Sequence, residues 1–290
     1  MTEMDRRMNI IDIHTHGIGG FDTRTSDPED IIRMAEIQAS LGVSAIVPTI
    51  YPDSIEIMRQ NMMAVQKAME LQKNAAILGV HLEGPFLNSA KCGALKSSSF
   101  IEPNESNLKK LLEGFEDIVK IITIAPELNG AIKLINKISD MGIIASMGHS
   151  DATYSEAEAA FNAGAKGITH LFNAMRNFHH REPGIVGFGL LNKDIFIEVI
   201  ADPHHLNLKT IELIFRMKAK DKIILISDSV KCTMVSDDGT GYGVINEAGT
   251  LQGGSMNIME SSRRLIKQGF DEDIVKTFIT SNPAMYLASR

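Results

Sequence analysis

Asn-Ile-Ile-Asp-Ile-His-Thr-His-Gly, residues 9–17, is the stretch on which the fold reading turns. A short apolar run, Asn9–Ile13, leads directly into Asp12, His14 and His16. Near-continuous runs of β-branched residues are what strands buried on both faces require. The same figure recurs at Ser44–Pro48, Ala76–His81, Val119–Ile124, Ile143–Met147, Gly167–Thr169, Ile195–Ile200 and Lys222–Ile226. Helical patterns separate these runs: Asp30–Leu41 after the helix-starting Pro28, then Ser54–Gln72, Asn107–Leu112, Gly130–Met141, Ser155–Ala163 and Leu208–Met217. Ser255–Lys267 and Asp271–Phe278 follow the last run. Eight strands with mostly helical crossovers predict a (β/α)8 TIM-type barrel, with an open doubly wound sheet as the alternative. Residues 1–290 read as one such domain, and the Gly-rich stretch Asp237–Gly254 reads as a hairpin after strand eight.

Bulk composition narrows the function. A formal net charge of -7 argues against nucleic-acid binding, which needs a basic face for phosphates. No apolar run approaches the roughly 18 residues of a membrane span. The polar residues Met1 to Met8 do not introduce a signal peptide. Cys92 and Cys232 are too few for a disulfide framework and lack zinc-type spacing, so a cytoplasmic setting is expected.

Reactive residues cluster at the ends of the strand runs. His14 and His16 end the first, His81 and Glu83 the third, His149 the fifth and His170 the sixth. Asp202, His204 and His205 follow the seventh, and Asp228 ends the eighth. A TIM barrel opens all of these ends onto one face, where active sites sit. Taken singly, each group has an ordinary structural reading: loop histidines, a salt-bridged acid, a capping aspartate. Jointly they describe a nitrogen and oxygen ligand set without cysteine, suited to Zn²⁺, Fe²⁺, Mn²⁺ or Co²⁺, one or two ions. Such a centre activates water for hydrolysis, with Asp228 placed to carry protons.

The motifs in their order resemble those of the N-acetylglucosamine-6-phosphate deacetylases, of the amidohydrolase superfamily. The resemblance rests on IDIHTHG (11–17), HLEGPFLN (81–88), APE (125–127), GHSDATY (148–154), THLFNAM (169–175), REPG (181–184), IADPHH (200–205), SDS (227–229), GTLQGGS (249–255) and NPA (282–284). It implies a metal-dependent hydrolase removing the acetyl group from an N-acetyl amino-sugar phosphate. It further implies that Glu83, His149 and His170 hold the main ion, zinc first among the candidates, and that His14 and His16 hold a second. Asp228 matches the acid/base. Asn173, Ala174 and Arg181 match substrate contacts, Arg181 at the phosphate. His205 matches a histidine presented to a neighbouring subunit, which implies a homodimer.

Three departures accompany the resemblance. The first motif begins by Ile11, so a barrel-only form without the family's β-sandwich is expected. Leu95 stands where the family carries a histidine that polarises the acetyl carbonyl, and leucine donates no hydrogen bond. A second ion on His14 and His16 would compensate. Pro203 replaces the usual glycine after Asp202. Two alternatives therefore stay open: an amidohydrolase acting on another N-acyl or cyclic amide, and a non-catalytic sugar-phosphate-binding protein.

Overall fold

The computed structural model describes residues 9–72, 74–233, 244–245 and 249–289. Residues 1–8, on which the absence of a signal peptide was read, lie outside the described residues.

Eight parallel strands form the expected barrel: β1 (Ile11–Thr15), β2 (Ala45–Ile50), β3 (Val80–Glu83), β4 (Val119–Ile124), β5 (Ile144–Met147), β6 (Gly167–Ile168), β7 (Phe196–Ile200) and β8 (Ile223–Ile226). They pair in chain order. The ring is stitched shut between its first and last members. Thr15 bridges Ser229, the His16 amide donates to the Ser229 carbonyl at 2.8 Å, and the Asp228 amide donates to the His14 carbonyl at 2.9 Å. The third run differs from expectation. It breaks at Gly79, whose φ of +148° no β-branched residue adopts, so Ala76–Ile77 pairs with β2 and β3 begins at Val80.

Helices α1 (Pro28–Ser40), α2 (Ile55–Leu71), α3 (Glu105–Leu112), α4 (Ala131–Asp140), α5 (Tyr154–Asn162), α6 (Gly184–Leu191), α7 (Leu208–Met217), α8 (Ile258–Lys267), α9 (Glu272–Thr277) and α10 (Ser281–Ala288) surround the strands. Their starts follow from local chemistry. Asp27 accepts from the Glu29 amide ahead of Pro28, and Thr153–Glu156 and Asn257–Glu260 form capping boxes. Helix α6 was not expected, because Gly-Ile-Val-Gly-Phe-Gly-Leu-Leu is buried nearly all round and carries no amphipathic stripe.

Two apolar layers result. One fills the space between strands and helices. The other lies inside the barrel, where Ile11, Ile13, Val47, Ile121, Ile144 and Ile224 meet. Tyr286 of α10 plugs this inner core against Phe196, with ring centroids 5.0 Å apart. Gly167 makes room for it: a Cβ there would lie 1.9 Å from the Tyr286 hydroxyl oxygen. Two residues further along several strands, the inner positions turn polar. Thr49, His81, Thr123, Ser146 and Thr169 are all fully buried. Thr169 Oγ1 lies 2.9 Å from Thr123 Oγ1 and 2.8 Å from Ser146 Oγ, and His81 Nε2 lies 2.8 Å from Thr123 Oγ1. These groups form the floor of the barrel mouth. Of the expected hairpin, Val244–Ile245 pairs antiparallel with Leu251–Gly253, while 237–243 and 246–248 lie outside the described residues.

Candidate metal centre

Three of the site residues end their strands in the left-handed region: His149 with φ 47°, His170 with φ 33° and Asp228 with φ 47°. Such a turn costs a non-glycine residue about 1–2 kcal/mol. It is held by the surroundings. Asn88 donates its amide to the His149 carbonyl at 3.1 Å, Asn173 to that of His170 at 2.9 Å, and Gly254 to that of Asp228 at 2.7 Å. Strain of this kind gathers where a fold aims functional groups.

The side chains converge. Glu83 Oε1 lies 3.1 Å from His149 Nε2 and 3.0 Å from His170 Nε2, and the two imidazole nitrogens are 3.1 Å apart. His16 Nε2 approaches the other Glu83 oxygen at 3.3 Å. His14 Nε2 lies 3.4 Å from His16 Nε2 and 3.3 Å from Asp228 Oδ1, which is itself 3.5 Å from His16 Nε2. All six residues are buried. The far ring nitrogens of three histidines are anchored: His149 Nδ1 on the Lys91 carbonyl at 2.9 Å, His16 Nδ1 on the Thr49 carbonyl at 3.0 Å, and His14 Nδ1 on Glu198 Oε2 at 3.1 Å. Each anchor fixes the proton on Nδ1 and leaves an Nε2 lone pair facing the centre. Tyr51 stacks on His16 at 3.8 Å, and the Arg24 guanidinium covers the other face of Tyr51 at 3.6 Å.

A cavity of about 210 Å³ opens above the centre. Asn173, Ala174, Leu95, His205 and Asp228 line it together with His16, Glu83, His149 and His170. Of the two remaining residues of the sequence reading, one lies outside the cavity and one lines it. Arg181 is not among the cavity's lining residues; it is exposed and lies against His180, 3.0 Å from its Nε2. It makes no pair with Glu182, whose carboxylate accepts from the Tyr154 and Gly184 amides. His205 lines this chain's own cavity, and its Nδ1 lies 3.0 Å from both oxygens of Asp202. Sequence reasoning missed Tyr51 and Glu198. A lone acid inside the apolar run Phe196–Ile200 was the available signal for Glu198.

The amidohydrolase family model matches residues 10–289. The chain belongs to the amidohydrolase family. Within it the chain groups with the amino-sugar phosphate deacetylases. It is 32% identical over 273 residues to the N-acetylglucosamine-6-phosphate deacetylase of Vibrio furnissii, covering 90% of this chain and 68% of the relative. It is 29% identical to the N-acetylgalactosamine-6-phosphate deacetylase of Escherichia coli O157:H7, covering 100% of this chain and 78% of that one. A mutant N-acetyl-D-glucosamine-6-phosphate deacetylase of Mycobacterium smegmatis, solved with N-acetyl-D-glucosamine-6-phosphate, superposes with a TM-score of 0.90. That structure is 26% identical, over 97% of this chain and 77% of the other.

An amidohydrolase of this kind is a metal-dependent carbon–nitrogen hydrolase, and the donors here fit a divalent cation. Glu83, His149 and His170 form one compact group, and His14, His16 and Glu83 a second that shares the carboxylate. Burial tends to raise Glu83, but the neighbouring His149 charge and the close contacts of His149, His16 and His170 with the carboxylate outweigh it and hold the carboxyl well below its usual range. Burial, aided by the His81 charge, drives His14 well below the ordinary histidine value, so its ring is a neutral ligand. Asp228 is pushed up by burial and then by the Glu83, Glu198, Asp202 and Asp12 charges. Burial also raises Asp202, yet the His205 hydrogen bond and charge dominate and keep it low. The barrel mouth thus concentrates buried acids, the field a bound cation relieves.

Proposed function

We propose that this amidohydrolase removes the acetyl group from an N-acetyl amino-sugar phosphate, with N-acetylglucosamine 6-phosphate as the first candidate. The carrying observation is the convergence of Glu83, His149 and His170 at 3.0–3.1 Å, beside Asp228 at the base of a cavity. The likeness to deacetylases of two epimeric sugar phosphates, one solved with its sugar phosphate, supports the substrate class.

In this reading Glu83, His149 and His170 hold the main ion and His14 with His16 a second, Zn²⁺ being the first choice for a nitrogen and oxygen set. The ion supplies Lewis acidity, which lowers the pKa of water and polarises a carbonyl. Asp228 Oδ1 takes a proton from the attacking water and delivers it to the amide nitrogen as the C–N bond breaks, giving acetate and the free amine. Asn173 and Ala174, on the cavity wall, orient the sugar. Arg181 is the proposed phosphate ligand, an exposed cation beside His180 on the loop after the His170 turn. A cytoplasmic homodimer completes the reading, and light scattering on the purified protein tests the dimer.

Leu95 favours a second reading, another N-acyl amide. It lines the cavity and packs against Tyr51, Val230 and Val244, where a hydrogen-bond donor to the carbonyl would stand. Metal analysis followed by acetate release from a panel of acetylated sugar 6-phosphates separates the two. Metal with acetate from the glucosamine or galactosamine member supports the first. Metal without acetate from any member refutes it in favour of the second.

A further inference from the structure

Glu127 ends the APE stretch after β4, and neither β4 nor the segment 125–130 lines the cavity. Its carboxylate nevertheless gathers three donors from the loops on either side. Oε1 accepts from Asn88 Nδ2 at 2.8 Å and from the Asp151 amide at 2.6 Å, and Oε2 accepts from the Ser150 hydroxyl at 2.7 Å. Backbone amides settle the direction of the two side-chain bonds. Asn88 Oδ1 is taken by the Ala90 amide at 2.9 Å, so its Nδ2 faces Glu127. Ser150 Oγ accepts from the Ala152 amide at 3.0 Å, which leaves its own proton for the carboxylate. The barrel ladder holds the base of Glu127 between the two loops: the Ala125 amide donates to the Phe86 carbonyl at 2.9 Å, and the Gly148 amide to the Ile124 carbonyl at 3.2 Å.

The loops joined in this way build two walls of the cavity. The first begins at Asn88, whose amide meets the His149 carbonyl, and continues through Lys91, whose carbonyl meets His149 Nδ1. It then crosses the imidazole: a Cβ on Gly93 would lie 3.7 Å from His149 Cε1 and 3.6 Å from Ala174 Cβ. Gly93, Ala94 and Leu95 form the wall. The second loop supports the facing wall, Asn173 and Ala174. Ser150 donates its amide to the Ala174 carbonyl at 3.2 Å and accepts from the Arg176 amide at 2.9 Å. The Lys91–Asp151 ion pair, at 3.1 Å, also spans the two loops, but both partners are partly exposed, where such pairs contribute little.

We infer that Glu127 is a positioning residue: its carboxylate locks the Asn88–Leu95 segment to the His149–Asp151 turn, so that both walls stand in register before a substrate enters. This rests on the reading of the cavity as an amide-hydrolysing site. A misplacement of roughly 1 Å costs about 10²-fold in rate even when the change is remote from the chemistry. Glu127→Ala removes all three bonds. Glu127→Gln keeps an oxygen for Asn88 and the Asp151 amide and turns its Nε2 toward the Ser150 oxygen, so it retains the clamp. Asn88→Asp keeps the cap on Ala90 but sets a second carboxylate against Glu127, so it opens the clamp from the other side.

The test is amide hydrogen exchange and acetate-release kinetics on the Zn²⁺-loaded wild type and the three variants, at a temperature where melting curves show them folded. In Glu127→Ala and Asn88→Asp, exchange should quicken at 88–95 and 149–152 and stay unaltered in the barrel strands. Their kcat should fall about 10²-fold with a smaller change in KM, while Glu127→Gln stays within about 10-fold of the wild type. Unchanged exchange in the two clamp-opening variants overturns the inference. Quickened exchange with kcat unaltered also overturns it, because the clamp would then be structural only. A rise in KM at constant kcat is equally contrary, since it reports lost contacts rather than lost alignment. A Zn²⁺-loaded wild type that releases acetate from no member of the sugar-phosphate panel refutes the proposed substrate, and the exchange comparison then decides the clamp by itself.

Discussion

Replacing Asp228 by asparagine separates chemistry from architecture. Asp228 stands at φ 47°, in the left-handed region, which asparagine tolerates better than any other isosteric choice; alanine would add strain of about 1–2 kcal/mol. Its amide donates to the His14 carbonyl at 2.9 Å and its carbonyl accepts from Gly254 at 2.7 Å, and both bonds survive the change. The substitution also removes a carboxylate pushed up by burial and by four neighbouring acids, so the metal-free variant should be at least as stable as the wild type near pH 7. The main ligand group, Glu83, His149 and His170, does not include Asp228. What is lost is proton transfer, which contributes typically ~10²–10⁴-fold. At about 1.36 kcal/mol per decade this raises the barrier by ~2.7–5.4 kcal/mol. The assay is acetate release at saturating substrate, run beside metal analysis and a melting curve. A folded, metal-replete Asp228→Asn protein within 10-fold of the wild-type rate would refute the role.

Gly167→Ala should destabilise by about 1–3 kcal/mol in urea unfolding, because its methyl meets the Tyr286 hydroxyl oxygen at 1.9 Å. Adding Tyr286→Phe should recover part of that loss, since a ring carbon at 2.7 Å remains; simple additivity in the double-mutant cycle would contradict the clash. Lys218 is buried, its Nζ donates to the Asn192 carbonyl, and burial, with the Lys222 charge adding, brings its pKa down from 10.5 to about 7. Between pH 7 and 10 the unfolded chain holds that proton and the folded one does not, so this lysine makes stability rise with pH, by up to about 1.4 kcal/mol per unit. The wild type minus Lys218→Met difference in unfolding free energy should follow that slope, and a flat difference would be the contrary result. Stripping the metal should lower stability by about 2.7 kcal/mol per site relative to protein held at 100 times the dissociation constant, and Glu83→Gln should melt alike with and without added metal. A Glu83→Gln protein still stabilised by Zn²⁺ would place the ion elsewhere.

Much of this architecture was legible because buried parallel strands write themselves as apolar runs. Val119–Ile124 and Leu208–Met217 were located to the residue, and the reactive side chains fell within or just past the C-terminal ends of their strands. Failures have physical reasons. The break at Gly79 depends on the approach of the Ile118 carbonyl, 2.3 Å from where a Cβ would sit, a long-range fact invisible in a local run. Helix α6 carries no period because its surroundings are apolar on nearly every side. Glu198 was passed over because a single acid in Phe-Ile-Glu-Val-Ile reads as part of an apolar strand until its partner, 184 positions away, is known.

The seam between β1 and the end of β8 also sets a timetable. On a ribosome, the segment bearing His14 and His16 emerges early and Asp228 last of the group, with the carbonyl of residue 14 waiting for the amide of residue 228. Until that junction zips, the histidine pair lacks Asp228 beside it, and its strand is an open edge. A chain interrupted anywhere short of residue 228 therefore leaves the ring unclosed, however well its earlier strands have assembled. The barrel mouth is completed in one late step, when the two ends of the ring meet.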